Sequence, residues 1–245
     1  MKKSGFSLAE ILLTLGIIGI VSAITVPTLV SNNQNKVFAS KLSVTKSSVE
    51  DAFTTMIAAE GVDDFVDTEF YAKFEEDPTS VETMDFLKRN LKVNIRGDLD
   101  QFYDGGVVFR NIDGDNASIE TTGDIVYQLK NGALLLLTGE DFIDRRDHFG
   151  ITSLGTYTTG MTCFIDINGV QGPNIHGRDV FRFMVGGNGK LYPAGGEEWG
   201  QIYLRGGGVR VPTYVNSNFD YACTDENKTI GCTARLIENN YDVDY

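Results

Sequence analysis

The densest group of possible metal ligands in the sequence lies in the stretch DINGVQGPNIHGRD, residues 166–179. Asp166, Asn168 and Asp179 offer side-chain oxygens there, and four intervening Gly and Pro residues let the chain bend so that backbone carbonyls can point inward. Hard oxygen ligands on a flexible loop are what Ca²⁺ prefers. The stretch opens like an EF-hand loop but has no Glu at the twelfth position, so a loop closed by Asx turns is the alternative. The sequence therefore predicts either a calcium site at these three residues, with no cofactor otherwise required, or a self-contained turn.

Motifs for catalysis and for phosphate or zinc binding are missing from the sequence. The stretches GGNGKL and LRGGGV match neither the P-loop nor the dinucleotide-binding pattern, and neither CxxC nor HExxH occurs. We expect both histidines, His148 and His176, on the surface or at a cap. With 34 acidic against 21 basic side chains, the net charge of −13 disfavours binding to a phosphate backbone. The sequence therefore predicts neither an enzyme nor a direct nucleic-acid partner.

One carboxylate, Glu10, lies near the start of a long apolar run. The run extends from Phe6 to Val30, and about 25 residues at about 1.5 Å each are enough to cross a hydrocarbon core of about 30 Å. It is longer than the apolar core of a cleavable secretory signal. Lys2 and Lys3 precede it, which favours a cytoplasmic N-terminus and an extracytoplasmic C-terminus. An acid in a membrane span usually marks function or a partner, and the alternative is an acid tolerated at the interface.

The residues around Glu10 resemble the N-terminus of type IV prepilins and type II secretion pseudopilins. The hexapeptide GFSLAE at residues 5–10 follows two lysines and precedes an apolar helix that contains Pro27. In that family a membrane peptidase cuts after the glycine and methylates the new N-terminal residue. The resemblance therefore implies cleavage between Gly5 and Phe6 and N-methylation of Phe6, and it makes Glu10 the residue through which subunits assemble.

The resemblance implies a structural role in a filament. Such a subunit is held in the inner membrane by one span, with its head outside, and is then drawn into a type IV pilus or a type II secretion pseudopilus in the periplasm or at the cell surface. Its partners are prepilin peptidase, other pilin or pseudopilin subunits and the inner-membrane assembly platform. The amine created at Phe6 and the carboxylate of Glu10 would pair between subunits and set their axial register. The alternative is a singly anchored extracytoplasmic protein, an adhesin or a ligand-binding protein whose loop 166–179 recognises a molecule such as a glycan.

The domain organisation follows from periodicity and composition. A leader at residues 1–5 and an apolar helix at residues 6–30 precede residues 31–61, which keep a helical period. Their apolar and small side chains recur at steps of three and four: Phe38, Leu42, Thr45, Val49, Ala52 or Phe53, and Met56. We expect one long helix that ends at Gly61 and packs this stripe on a sheet. Pro27 lacks an N–H and its ring opposes the preceding turn, which predicts a kink there.

Strand and turn signals in residues 62–245 predict a β-rich extracytoplasmic head. The predicted fold class is therefore α+β and pilin-like, with the long helix packed against an antiparallel sheet. One short helix is predicted in TSVETMDFLKRNL, capped by Thr79 or Ser80. Asn131-Gly132 predicts a β-hairpin, and turns are also predicted at residues 113–116 and 187–189.

The three cysteines fall into two classes. Cys223 and Cys232 lie on the predicted extracytoplasmic side, where disulfides form, and a bond between them would stabilise the fold by about 2–3 kcal/mol. Pilins often close their C-terminal loop in this way, so the resemblance implies the same pairing. Cys163 lies in the apolar stretch MTCFIDI, which predicts a buried free thiol.

Overall fold

The computed structural model describes residues 7–98, 102, 109–112, 114–117, 125–141, 159–193 and 232–241. Four helices lie in these ranges: α1 (Leu8–Glu60), α2 (Glu69–Glu76), α3 (Val81–Leu91) and α4 (Cys232–Glu238). A 3₁₀ turn at Phe65–Asp67 connects α1 to α2. The chain divides into two compact units, Met1–Val37 and Phe38–Tyr245, and α1 contributes to both.

Eight strands occur in the same part of the chain. Six of them form one antiparallel sheet in the order β1-β4-β5-β6-β7-β8, and β2 pairs with β3 in a small second sheet. The strands are β1 (Val93–Asp98), β2 (Phe109–Arg110), β3 (Asn116–Ala117), β4 (Ile125–Leu129), β5 (Leu134–Asp141), β6 (Thr159–Asp166), β7 (Val180–Val185) and β8 (Leu191–Pro193). One long helix with an antiparallel sheet confirms the predicted α+β class.

The first half of α1 is apolar and exposed. Leu12, Ile18 and Ile24 are each at least 60% exposed, and the apolar side chains around them are exposed too. By length and composition this helix is able to cross a membrane. The observation agrees with a single-span protein, whereas the orientation of the span stays a prediction.

Pro27 does not interrupt α1, which is continuous from Leu8 to Glu60. Next to the proline, Thr28 Oγ1 donates a hydrogen bond to the carbonyl oxygen of Ile24 at 2.9 Å, and Thr25 Oγ1 donates to that of Val21 at the same distance. Neither bond reaches the carbonyl oxygen of Ala23, which is the acceptor that lacks an N–H from Pro27, but the helix is continuous through the proline. The helix therefore has no break at Pro27, and the predicted kink stays a prediction.

The second half of α1 packs on one face of the large sheet, as its stripe predicted. Leu42, Thr45, Val49 and Phe53 are fully buried, and Gly61 ends the helix with a φ of +68°. Strand residues alternate between the two faces, so every second side chain meets the helices. The face toward the helices contributes Tyr127, Leu135, Leu137, Cys163, Ile165, Phe181 and Phe183 to this core.

Three polar contacts fix α1 on the sheet. Lys41 Nζ donates to the carbonyl oxygen of Ile167 at 3.1 Å, just after β6. Asn131 Nδ2, in the β4–β5 turn, donates to Thr45 Oγ1 at 2.8 Å. The backbone N–H of Leu191 in β8 donates to Glu50 Oε1 at 2.9 Å. Because these partners belong to different parts of the sheet, a shift of α1 along its axis would break all three contacts.

Both glycine turns predicted between strands are present. Gly132 lies in the β4–β5 hairpin with a φ of +84°, and Gly189 lies in the β7–β8 turn with a φ of +75°. A Cβ at Gly189 would lie 2.9 Å from the backbone nitrogen of Thr54, so this turn rests directly on the backbone of α1. The predicted turn at residues 113–116 is present between β2 and β3, where the N–H of Asn111 donates to the carbonyl oxygen of Asp115 at 2.8 Å, although Asp113 itself lies outside the described residues.

The head contains more helix than the sequence predicted. The predicted helix is α3, and Ser80 is its cap because Ser80 Oγ accepts the N–H of Thr83 at 3.1 Å. The expectation of one short helix was wrong, since α2 and α4 are also present. These helices have eight and seven residues, so they are too short for a clear periodic signal.

Candidate functional sites at the helix start and in the loop 166–179

The start of α1 is closed by a reciprocal pair of hydrogen bonds between Ser7 and Glu10. The backbone N–H and the hydroxyl of Ser7 donate to Glu10 Oε2 at 2.8 and 2.9 Å, and the N–H of Glu10 donates to Ser7 Oγ at 3.3 Å. This arrangement is a capping box, which satisfies donors that the first turn of a helix leaves without partners. Glu10 is exposed, and its carboxylate accepts both of these hydrogen bonds from Ser7 at the first turn of the helix.

The capping box gives Glu10 a local role that sequence reasoning missed, although the S-x-x-E spacing at residues 7–10 is a known signal for it. Gly5 and Phe6, where the predicted cleavage falls, lie outside the described residues. The arrangement of Glu10 relative to a new amine at Phe6 therefore stays a prediction.

The loop 166–179 is organised around the carboxylate of Asp179. Asp179 Oδ1 accepts the N–H of Ile175 at 2.6 Å, and Oδ2 accepts the N–H of Asn174 at 2.8 Å and an amide N–H of Asn168 at 3.0 Å. Asp179 is fully buried. Burial raises the pKa of Asp179, and the hydrogen bonds from Ile175, Asn174 and Asn168 oppose that shift. Asp179 thus holds the loop closed with its own side chain.

Asp166 and Asn168 complete the group of three predicted ligands. Asp166 Oδ1 accepts the N–H groups of Asn168 and Gly169 at 3.2 and 3.0 Å, which is an Asx turn. Asn168 Nδ2 also donates to the carbonyl oxygen of Gly172 at 3.2 Å. Among the described residues, Asn168 Oδ1 is a buried oxygen without a hydrogen-bond partner. The structure brings the three residues into one hydrogen-bonded group. Calcium binding there stays a prediction.

The loop also contacts the first turn of α4. Gly177 has a φ of +83°, and a Cβ there would lie 2.2 Å from Cys232 Cβ and 2.9 Å from its Sγ. Cys232 is disulfide-bonded, whereas Cys223, its predicted partner, lies outside the described residues. Position 177 therefore has no room for any side chain, and the loop rests directly on the disulfide.

Predictions were also made for the environments of Cys163 and His176. Cys163 is a free and fully buried thiol, as expected, and burial raises its pKa far above the ordinary range. His176 was expected on the surface or at a cap, and the surface position was wrong because His176 is only 9% exposed. The ring lies beside Phe109 and Phe164, with centroids 6.2 and 6.0 Å away. His148 lies outside the described residues.

Comparison with known proteins gave no match: no family model, no curated protein and no solved structure is significantly similar to this chain.

Proposed function

We propose that this chain is a filament subunit of the pilin or pseudopilin kind, cut by prepilin peptidase between Gly5 and Phe6 and methylated on Phe6. The subunit resides in the inner membrane through one span and assembles into a type IV pilus or a type II secretion pseudopilus with other subunits at an assembly platform. The observation that supports this most is the single helix α1. Its first half is apolar and exposed, its second half is the core helix of the head, and an acid lies within its first turn.

Glu10 is the residue with the clearest role in this proposal. An ionised carboxylate near the start of an apolar helix is unfavourable in a bilayer by roughly 2.5–3.5 kcal/mol unless it has partners. In the single subunit Ser7 supplies the carboxylate with two hydrogen bonds, from its backbone N–H and its hydroxyl. In a bundle of helices the amine of Phe6 on a neighbouring subunit is a stronger partner, because it carries the opposite charge. Pairing of the two charges then defines the axial position of each incoming subunit.

Substitution of Glu10 tests this proposal. We expect Glu10→Val to be cleaved and inserted like the parent chain but to be missing from sheared fibres, because the incoming subunit has no charge to pair. Thr14→Val is the matched control, since Thr14 is one turn further along and its hydroxyl only donates to the carbonyl oxygen of Ile11. The measurement is the ratio of fibre-bound to membrane-bound protein. Fibres that contain Glu10→Val in the same proportion as the parent would favour the anchored ligand-binding protein instead.

A further inference from the structure

The face of the large sheet opposite α1 is covered in part by the small β2–β3 sheet. Both backbone groups of Arg110 in β2 form hydrogen bonds with the loop 166–179. Its N–H donates to the carbonyl oxygen of Asn174 at 3.0 Å, and its carbonyl oxygen accepts the N–H of His176 at 2.9 Å. Apolar side chains from both layers form a second core cluster, which comprises Phe109, Val126, Leu134, Leu136, Phe164 and Val180. The β2–β3 sheet and the segment 174–176 therefore form one covering layer, which we call the flap.

His176 lies where the flap meets the large sheet. Its ring is placed between Phe109 of the flap and Phe164 of β6, and it is 9% exposed. The guanidinium of Arg182, on β7, lies 5.4 Å from the centroid of the same Phe164 ring. A neutral imidazole suits this apolar contact, whereas an imidazolium there would be both desolvated and close to a second cation.

Among the described residues, the charged groups around His176 do not compensate a positive charge on it. Arg182 faces it from β7, and Arg110 follows Phe109 on β2. Asp166, at the end of β6, accepts two N–H groups of its own Asx turn. In the same loop as His176, Arg178 adds another cation, and the carboxylate of Asp179 accepts three N–H donors from residues 168, 174 and 175.

We propose that His176 is an acid-sensitive latch: while it is neutral it favours the closed flap, and its protonation shifts the equilibrium toward the open flap. We expect the core between α1 and the sheet to stay closed in this transition, because the two rings beside His176, Phe109 and Phe164, belong to the second cluster. Release exposes an apolar surface that includes Leu134, Leu136 and Phe164. The latch does not depend on whether the subunit forms fibres.

The change in flap opening with pH follows from the difference between the pKa of His176 in the closed form and in the open form. Burial, with a further contribution from Arg182, lowers this pKa from 6.5 to about 4 in the closed form. In the open form the ring is solvated and its pKa returns to the ordinary value, so the open form binds protons more readily between pH 6.5 and 4. The contribution of His176 to the stability of the closed flap is complete above pH 6.5 and is lost as the pH falls toward 4. Between pH 7 and 4.5 the opening equilibrium increases roughly 60-fold.

Two measurements on the full-length protein in detergent test the latch. The pKa of each histidine is followed by NMR of the ring carbon proton, with assignment by substitution of each histidine in turn. Amide hydrogen exchange is measured at pH 7 and 4.5 and corrected for the intrinsic pH dependence of exchange. We expect peptides that contain residues 109–110 and 174–176 to lose protection roughly 60-fold at pH 4.5, whereas β5 keeps it. A chelator is present throughout so that release of a bound cation does not contribute.

Matched variants separate the latch from general acid denaturation. His176→Leu should remove the difference between the two pH values in the flap, whereas His148→Leu should keep it. If His176→Leu does not fold, Arg182→Met serves instead, since loss of this cation should raise the pKa of His176 in the closed form and so reduce the increase in flap opening between pH 7 and 4.5. A pKa of His176 near 6.5, equal protection of flap and β5 at pH 4.5, or an unchanged acid response in His176→Leu or Arg182→Met would overturn the proposal.

Discussion

Glu50 provides the sharpest test of how the head is held on its helix. It is 9% exposed, and its Oε1 accepts both Lys46 Nζ at 2.6 Å and the N–H of Leu191 at 2.9 Å. Glu50→Leu leaves a half-buried ammonium and a buried N–H without their acceptor. Removal of one member of a buried ion pair costs about 3–5 kcal/mol, and we take about 3 kcal/mol because Lys46 keeps some solvent. With an m-value of about 2 kcal/mol/M, the urea midpoint should fall by about 1.5 M.

The assay is equilibrium unfolding of the full-length protein in detergent, followed by circular dichroism. Asp51→Leu is the matched control, because Asp51 is the adjacent residue on α1 and is exposed, so its substitution should change stability by no more than about 0.5 kcal/mol. The double variant Lys46→Met/Glu50→Leu should be more stable than Glu50→Leu alone, since it leaves no unpaired ammonium. A Glu50→Leu midpoint within error of the Asp51→Leu midpoint would refute this description of the contact.

Two further predictions concern the loop 166–179. Gly177→Ala should lower the free energy of unfolding by more than about 2 kcal/mol, because it adds a clash with Cys232 to the strain of a positive φ. The control Gly61→Ala, at a site with a positive φ and open space, should lower it by only about 1 kcal/mol. Equal losses for the two variants in urea unfolding would contradict the close packing at residue 177. The Tm of the parent protein should be higher in millimolar calcium than in chelator, whereas the Tm of Asp179→Asn should be the same in both, because Asp179 is a predicted ligand. Equal Tm values of the parent protein in the two conditions would contradict a calcium site.

The elements that the sequence predicted are those with local signals. The stripe from Leu42 to Met56 repeats every three to four residues, so its buried face could be derived before any partner was known. Asn131-Gly132 and Ser80 act through neighbouring backbone groups, and both are found in the predicted turn and cap.

The features that were missed depend on residues distant in sequence. His176 is buried because Phe109 lies beside it, and no local pattern around the histidine indicates that contact. Glu50 accepts the N–H of Leu191, which is 141 positions away, so no local pattern in the helix indicates that this polar side chain is buried. Packing of this kind is decided by the assembled sheet and not by local propensity.

The N-terminus of the mature protein tests the proposed function most directly. Intact-mass analysis and N-terminal sequencing of the protein purified from membranes or fibres should find a chain that starts at Phe6 and carries one additional methyl group. Gly5→Leu provides the control, and it should keep the full chain because the residue before the cut is altered. A mature protein that begins at Met1, or at any residue other than Phe6, would contradict the assignment of this chain as a pilin or pseudopilin subunit.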